Sequence, residues 1–405
     1  MKTSTSLGLP TRGAPNQSAQ PRTVITMLKV MGVLALLAFA VLFPPFFSPD
    51  DATTTVAVSA LMFAAWATAW NIFSGYSGYI ALGHAAFFGS GAYALAIMCQ
   101  RWGVGLHDVS LLGLTVPADY APFLLVPVAG LIAALISIPV GWIALHTRRH
   151  TFIVVTIAIF FIFQLLAENN IGSLTGGTAG LEFHNPSWIY PFFNDPFYYA
   201  MLIILVLAVV VSWWVRHSKY GLGLLAIRDD EDRALGLGVK TGPSKLVAFV
   251  IAAFFAGMLG GVWAYFIGSV FPQSAYDPLN DITLALMAFM GGLGTISGPI
   301  IGALIIEWAR QNFDSFLTQF LQSATFLPEK LRDEQNTSGY YLIIYGALFL
   351  IVVLALPEGI VPTARKWLER WRSRQTPASG AAGTPGQPET LAVGQAASGG
   401  EGGKG

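Results

Sequence analysis

An unbroken charged run, Arg228-Asp229-Asp230-Glu231-Asp232-Arg233, leads into Ala234-Leu-Gly236-Leu-Gly238 between two long apolar stretches of a chain that is only 11% charged. A run of this kind is ordinarily a solvated loop between spans. Its residue types also suit a narrower role, a short helix that a soluble partner grips. Asp229, Asp230, Glu231 and Asp232 fit a first helical turn, where the helix dipole favours anions. Gly236 and Gly238 suit its end, and Gly242-Pro243 a turn back. Ala234, Leu235 and Leu237 would then offer an apolar surface.

A second set of residues sits inside apolar segments. One stretch is Asn71-Ile-Phe-Ser-Gly75-Tyr-Ser-Gly78, followed by Ala81-Leu-Gly-His84-Ala-Ala-Phe-Phe-Gly89-Ser-Gly91. The other is Gly291-Gly292-Leu-Gly294-Thr-Ile-Ser-Gly-Pro299. Non-helical backbone at membrane depth is tolerated where protein buries it or where it lines a cavity. Paired Gly- or Pro-interrupted segments in the two halves of a transporter point to its solute path. The competing reading is close helix packing, because small residues recur four apart at Ala81, Ala85 and Gly89, at Gly257 and Gly261, and at Gly298 and Gly302. His84 reads either as a packing histidine with its N–H on a helix carbonyl or as a functional imidazole. Gln164, Glu168 and Asn169 end an apolar segment just before Leu174-Thr175-Gly176-Gly177-Thr-Ala-Gly180. Together they read as the outer mouth of a path for a small zwitterionic solute, or as an ordinary polar helix end. Glu307 and Arg310, three apart, suit an ion pair on one helix face.

Catalytic signatures are missing. The sequence holds no phosphate-binding G-x-x-x-x-G-K-[ST], no H-E-x-x-H and no nucleophile elbow. It carries no ATP site of its own by that criterion, and no cofactor or metal is expected on this chain. The single cysteine, Cys99, excludes an intramolecular disulfide and a Cys-rich metal site. Asp and Glu read as lying almost wholly in loops, which argues against an ion-driven carrier or a self-sufficient channel. A membrane-embedded enzyme would need a convergent polar cluster, and His84 alone is not one.

The elements that must position these residues are membrane helices. The chain is 54% hydrophobic with a mean hydropathy of +0.60, against roughly 45–50% apolar in soluble domains. Runs of about 18 apolar residues read as spans. They fall at Val24–Phe43, Thr53–Phe73, Tyr79–Cys99, Ala121–Leu145, Thr151–Ala167, Phe197–Val215, Leu246–Gly268 and Tyr340–Leu356. Val24–Phe43 reads as an uncleaved first span, since it lacks a small-x-small cleavage site and runs into Phe43-Pro-Pro-Phe46. With the N-terminus inside, the inner segments collect Lys2, Arg12, Arg22, Lys29, Arg148 and Arg149, all the Lys and Arg of 216–245, and Arg365–Arg374. The outer segments hold Arg101, Arg310, Lys330 and Arg332. That bias fixes the orientation, with both termini cytoplasmic. It also requires Ile282–Ala309 to enter and return, as a hairpin or re-entrant pair turning near Gly291–Pro299. The expectation is an all-α polytopic bundle of about ten membrane segments. Residues 1–23 form a disordered arm, 24–357 the transmembrane domain with a cytoplasmic loop at 216–245, and 358–405 a tail disordered after about 375. Phe313–Leu327 reads as a short interfacial helix in an outer loop.

Taken in order, these motifs resemble the permeases of branched-chain amino-acid ABC importers, of the type that pairs with a second, non-identical permease. The resemblance is carried by Asn71–Tyr93, Ser173–Leu181, Ser218-Lys-Tyr-Gly221, Ala226–Glu231, Ala234–Gly238, Lys245-Leu-Val-Ala-Phe249, Ala256-Gly257, Gly260-Gly261 and Gly291–Pro299. It covers roughly Thr53 to Pro357. It implies a heterodimer of permeases in a bacterial inner membrane, two cytosolic ATPases that bind ATP and Mg, and a periplasmic or lipid-anchored solute-binding protein. It implies that Arg228–Gly238 docks on an ATPase, with Asp232 and Arg233 departing from the small or aliphatic residues common there. The family is similar enough across urea, amide and other amino-acid carriers that the solute stays open among them.

Overall fold

The structure is a computed structural model that describes residues 31–32, 34–44, 51–111, 114–169, 174–184, 186–188, 193–323, 350 and 359–375. The chain divides into two units, 1–363 and 364–405. The first is a helical bundle. In hydrocarbon every backbone N–H and C=O needs an internal partner, so long apolar runs become helices. Five described helices are long and apolar enough to cross a bilayer: Thr53–Gly75, Ala118–Ala144, Arg149–Glu168, Asp195–His217 and Thr241–Ile267.

In chain order the helices are α1 (Leu34–Pro44), α2 (Asp51–Trp70), α3 (Ala85–Trp102), α4 (Ala121–Ala144), α5 (Arg149–Glu168), α6 (Asp195–His217), α7 (Lys219–Asp229), α8 (Glu231–Gly236), α9 (Thr241–Ile267), α10 (Pro272–Ala275), α11 (Pro278–Gly291) and α12 (Gly298–Ser323). A last helix, α13 (Ile360–Gln375), continues into the second unit, where it carries exposed Arg365, Lys366 and Arg370. Two antiparallel strand pairs are small additions the sequence did not announce. One joins β1 (Val109–Leu111) to β2 (Leu114–Val116), the other β3 (Leu181–Glu182) to β4 (Ser269–Val270).

Helix α9 is the centre, packed mainly on α3 and α4 and also touching α2, α6 and α7. Small residues make this possible, since backbones approach closely only without side chains between them. A Cβ on Gly91 would overlap the Gly257 backbone, and one on Gly260 would overlap the Phe88 carbonyl. Rigid backbone cannot yield as a side chain does, so Gly260→Val should cost about 1–3 kcal/mol. The expected result is a lower Tm of the detergent-purified protein, with Gly242→Ala, where nothing lies within 4 Å of the new Cβ, as the unaffected control.

The expected hairpin is present: α11 and α12 pack against each other across the turn after Gly291. Helix α11 has 14 residues, about 21 Å at 1.5 Å each, too short for a hydrocarbon core of about 30 Å. Three boundaries differ from the sequence reading. The expected span Tyr79–Cys99 becomes helical only at Ala85, so Tyr79–His84 is unwound. No break separates an interfacial helix at Phe313, because α12 runs on to Ser323. The expected quartet Asp229–Asp232 does not open one helix, as described below. Of the other expected segments, Val24–Phe43 is described only in its later part, and residues 1–23, Tyr340–Leu356 (except Leu350) and the tail after 375 lie outside the described residues.

Candidate functional site

The two glycine-rich breaks meet. Helix α2 passes into a π-helical turn, Asn71–Gly75, whose residues are all buried, and such turns mark functional positions more often than ordinary helix does. The fully buried Asn71 amide clamps the turn after α11: Nδ2 donates to the Thr295 carbonyl at 2.9 Å, and Oδ1 accepts from Gly294 N–H at 2.8 Å. Thr295 in turn donates to the Gly292 carbonyl and accepts from Gly298 N–H, which closes the turn on itself. So Asn71, Gly75, Gly292 and Gly294, four of the proposed path residues, form one junction between the halves of the chain.

The unwound segment that follows is held by a set of polar partners, as buried backbone requires. Gly78 N–H donates to the Ser74 carbonyl, Tyr79 N–H to Ser77 Oγ and Ala81 N–H to Ser74 Oγ. The Trp70 indole donates to the Ala81 carbonyl at 2.8 Å, and Leu82 N–H donates to Thr156 Oγ1 on α5. Ala85 N–H, at the start of α3, donates to both oxygens of the buried Asp281 carboxylate on α11. A carboxylate there also complements the α3 dipole. The serines and threonine of this stretch thus replace the hydrogen bonds a helix would have made.

The charged run lies against this junction. It spans two helices rather than one. Arg228 and Asp229 end α7, and Asp230 caps α8, its side chain accepting from Arg233 N–H at 3.0 Å. An Asp at that position is a strong cap, which is why α8 begins at Glu231 and not at Asp229. Arg228 Nη1 donates 2.9 Å to the Gly75 carbonyl, and its stem lies on Gly78. Arg149, at the start of α5, donates to the Ile227 and Arg228 carbonyls at 2.6 and 2.9 Å, closing the C-terminal end of α7. Glu231 pairs with the buried Lys245 ammonium of α9 and accepts from Tyr79 Oη. Burial alone would raise the Glu231 carboxyl, but hydrogen bonds from Lys245 and Tyr79 outweigh it and hold that carboxyl below its ordinary value.

The outward face of the run is different. Ala234 is buried, against the expectation that it would join Leu235 and Leu237 on an open surface. Leu235 is 59% and Leu237 83% exposed, and Asp232 and Arg233 are exposed beside them. Gly236 and Gly238 have open space around them.

The remaining proposed path residues lie elsewhere. At the far end of α5, about 30 Å from Arg149 by helical rise, Gln164 and Gln273 both donate to Glu168 Oε1 at 3.3 Å. Thr175 donates to the Ala167 carbonyl, and Gly176 and Gly177 adopt positive φ in the loop that leads to β3. The His84 side chain joins neither group. It is fully buried with its ring edge-on to Phe87 and Phe249, and among the described residues neither ring nitrogen has a hydrogen-bond partner, so the expected bond to a helix carbonyl is not made. Glu307 and Arg310 pair at 2.7 Å as expected.

Sequence reasoning missed Arg149, Tyr79, Lys245 and Asp281 as parts of this assembly. Lys245, at the foot of a span and fourteen residues after Glu231 of the charged run, was the available signal. Asp281 and Glu307 also correct the reading that carboxylates keep to loops, since both are buried on helices.

A model of the family described as branched-chain amino acid transport system / permease component matches residues 52–353. The high-affinity branched-chain amino acid transport system permease protein LivM of Escherichia coli (strain K12) is 26% identical over 370 residues, covering 85% of this chain and 77% of that protein. The permease protein LivH of the same system and strain is 25% identical over 160 residues, 40% of this chain and 45% of that protein. The autoinducer 2 import system permease protein LsrC of Photorhabdus luminescens is 30% identical over 111 residues, 26% of this chain and 33% of that protein. No solved structure matches the chain.

Proposed function

Because the chain belongs to the branched-chain amino acid transport system permease family, we propose that it is a membrane-spanning permease subunit of an ATP-driven importer of branched-chain amino acids. The observation that carries this is a family match running from the first break, through the charged run, to the hairpin turn. ATP and Mg are held by two cytosolic ATPases, one of which seats Leu235, Leu237, Asp232 and Arg233. A second, non-identical permease completes the path, in keeping with relatives named as LivM and LivH. A solute-binding protein delivers the amino acid at the end marked by Gln164, Glu168 and Gly176. The basic residues beside α7 and α8 support a cytoplasmic position in the inner membrane for the opposite end, where the charged run lies. Access then alternates by rocking of packed helices, with the breaks as the moving parts.

The test is co-expression of this chain with the second permease, the ATPases and the binding protein encoded in the same genome. The wild-type protein should retain both ATPases on purification, and proteoliposomes should take up leucine, isoleucine or valine only with ATP and the binding protein. Urea and short-chain amides belong in the same panel. A Leu235→Asp/Leu237→Asp variant should insert normally yet retain less than a tenth of the ATPase. Uptake by this chain alone, with no ATPase present, would mark it as a carrier or channel and overturn the reading.

A further inference from the structure

Arg228 pairs with none of the carboxylates that follow it among the described residues. It is followed in sequence by Asp229, Asp230, Glu231 and Asp232, yet its guanidinium reaches inward to the Gly75 carbonyl. Two glycines make room for it. A Cβ on Gly78, whose φ is +73°, would press on the Arg228 stem, and one on Gly294, φ +76°, would overlap Nη1. Both positions therefore exclude side chains twice over, by backbone conformation and by the arginine. Gly75 and Gly294 belong to opposite breaks, joined through Asn71. The arginine thus sits where the two breaks touch, on the last turn of the helix that precedes the α8 cap.

We propose that Arg228 is the positioning residue that ties the charged segment to the junction of the two broken helices, so that a displacement of α7 and α8 moves Gly75 and Gly294 together. Arg228 faces the membrane domain and not the ATPase. The chemistry suits the task. A charge-assisted hydrogen bond to a carbonyl is stronger than a neutral one, and the planar guanidinium keeps its geometry where a flexible ammonium does not. Arg149 holds the Ile227 and Arg228 carbonyls from α5, so the arginine's own backbone is fixed while its side chain reaches inward. The inference rests on the proposed function only in that an ATPase moves the segment.

The experiment uses the complete transporter in proteoliposomes, comparing wild type, Arg228→Met, Arg228→Lys and Gly294→Ala. Three quantities are read: ATPase retained on purification, ATP hydrolysis, and amino-acid uptake. Arg228→Met should retain the ATPases and hydrolyse ATP within about twofold of wild type while uptake falls at least tenfold. Arg228→Lys should recover part of that uptake, since one donor can still meet the Gly75 carbonyl. Gly294→Ala displaces the guanidinium without removing its charge, and should raise the ratio of hydrolysis to uptake in the same way. It decides the matter if Arg228→Met fails to insert. Unchanged uptake per ATP in Gly294→Ala and Arg228→Met overturns the proposal, and so does loss of ATPase retention in Arg228→Met, which would put the arginine at the docking face. If the wild-type chain itself retains no ATPase, it is the importer reading that fails.

Discussion

An Asn71→Ala variant is expected to insert but to lose at least nine-tenths of its uptake and to melt well below wild type. Asn71 is fully buried and makes two hydrogen bonds to backbone, with Gly294 N–H and the Thr295 carbonyl. Alanine leaves the buried Gly294 N–H without this partner, at a cost of about 1–3 kcal/mol, and the part-buried Thr295 carbonyl without its amide donor at a smaller one. Helix α2 still packs on α11 and α12, but the turn loses both hydrogen bonds that hold it to the first break through this side chain. Asn71→Asp keeps the acceptor for Gly294 and loses the donor for Thr295, and should fall between. A second variant reaches the same bonds from outside. A Cβ on Gly75 would overlap Asn71 Oδ1, so Gly75→Ala should displace the amide and reproduce the defect. Because both changes remove the same two bonds, the double variant should be little worse than either single one. Thermal melts in detergent and uptake in proteoliposomes read both quantities. Fully additive losses would show that Asn71 and Gly75 act separately and that the clamp is not the reason for either effect.

The breaks were legible because glycine clusters interrupt apolar runs, and the spans because the runs themselves are long. That Asn71 meets Gly294 was not legible. The contact joins residues 223 apart in sequence, and nothing local to either stretch names its partner. The charged run shows the same limit at shorter range. Four adjacent carboxylates each offer a cap, so composition alone allows the helix to begin at any of them. Asp230 takes the role because Glu231, the next residue, is drawn to Lys245 and Tyr79, which sets the register of α8. Ala234 then falls inward, and Leu235 and Leu237 outward. Asp281 was overlooked because it stands at the edge of an apolar run, where a loop carboxylate is commonplace. Its partner, the N-terminal end of α3, exists only once Tyr79–His84 unwinds.

The ion pair that sets this register should be the other sensitive point. Lys245 is almost wholly buried, its side chain 4% exposed, while that of Glu231 is 25% exposed. Removing one partner of a buried pair costs about 3–5 kcal/mol, because the other charge is left uncompensated. Water reaches Glu231, so Lys245→Met should fall toward the lower end of that range. It should free α8 from α9 and reduce ATPase retention. A Glu231→Leu/Lys245→Met double variant removes both charges and should recover most of the lost stability, since an apolar replacement of a buried pair is often neutral or better. The pH dependence provides a separate check. The folded protein holds the Glu231 carboxyl below its ordinary value of 4.5, with the Lys245 and Tyr79 hydrogen bonds overcoming burial. The stabilisation is therefore fully present above pH 4.5 and is lost as pH falls below it toward the folded value, where the carboxyl takes up a proton. Wild type and the double variant should diverge above that point and converge below it, and Glu231→Gln alone should remove this part of the pH dependence. Parallel melting curves for wild type and the double variant from pH 7 down to 3 would show that the pair contributes nothing to holding α8 in place.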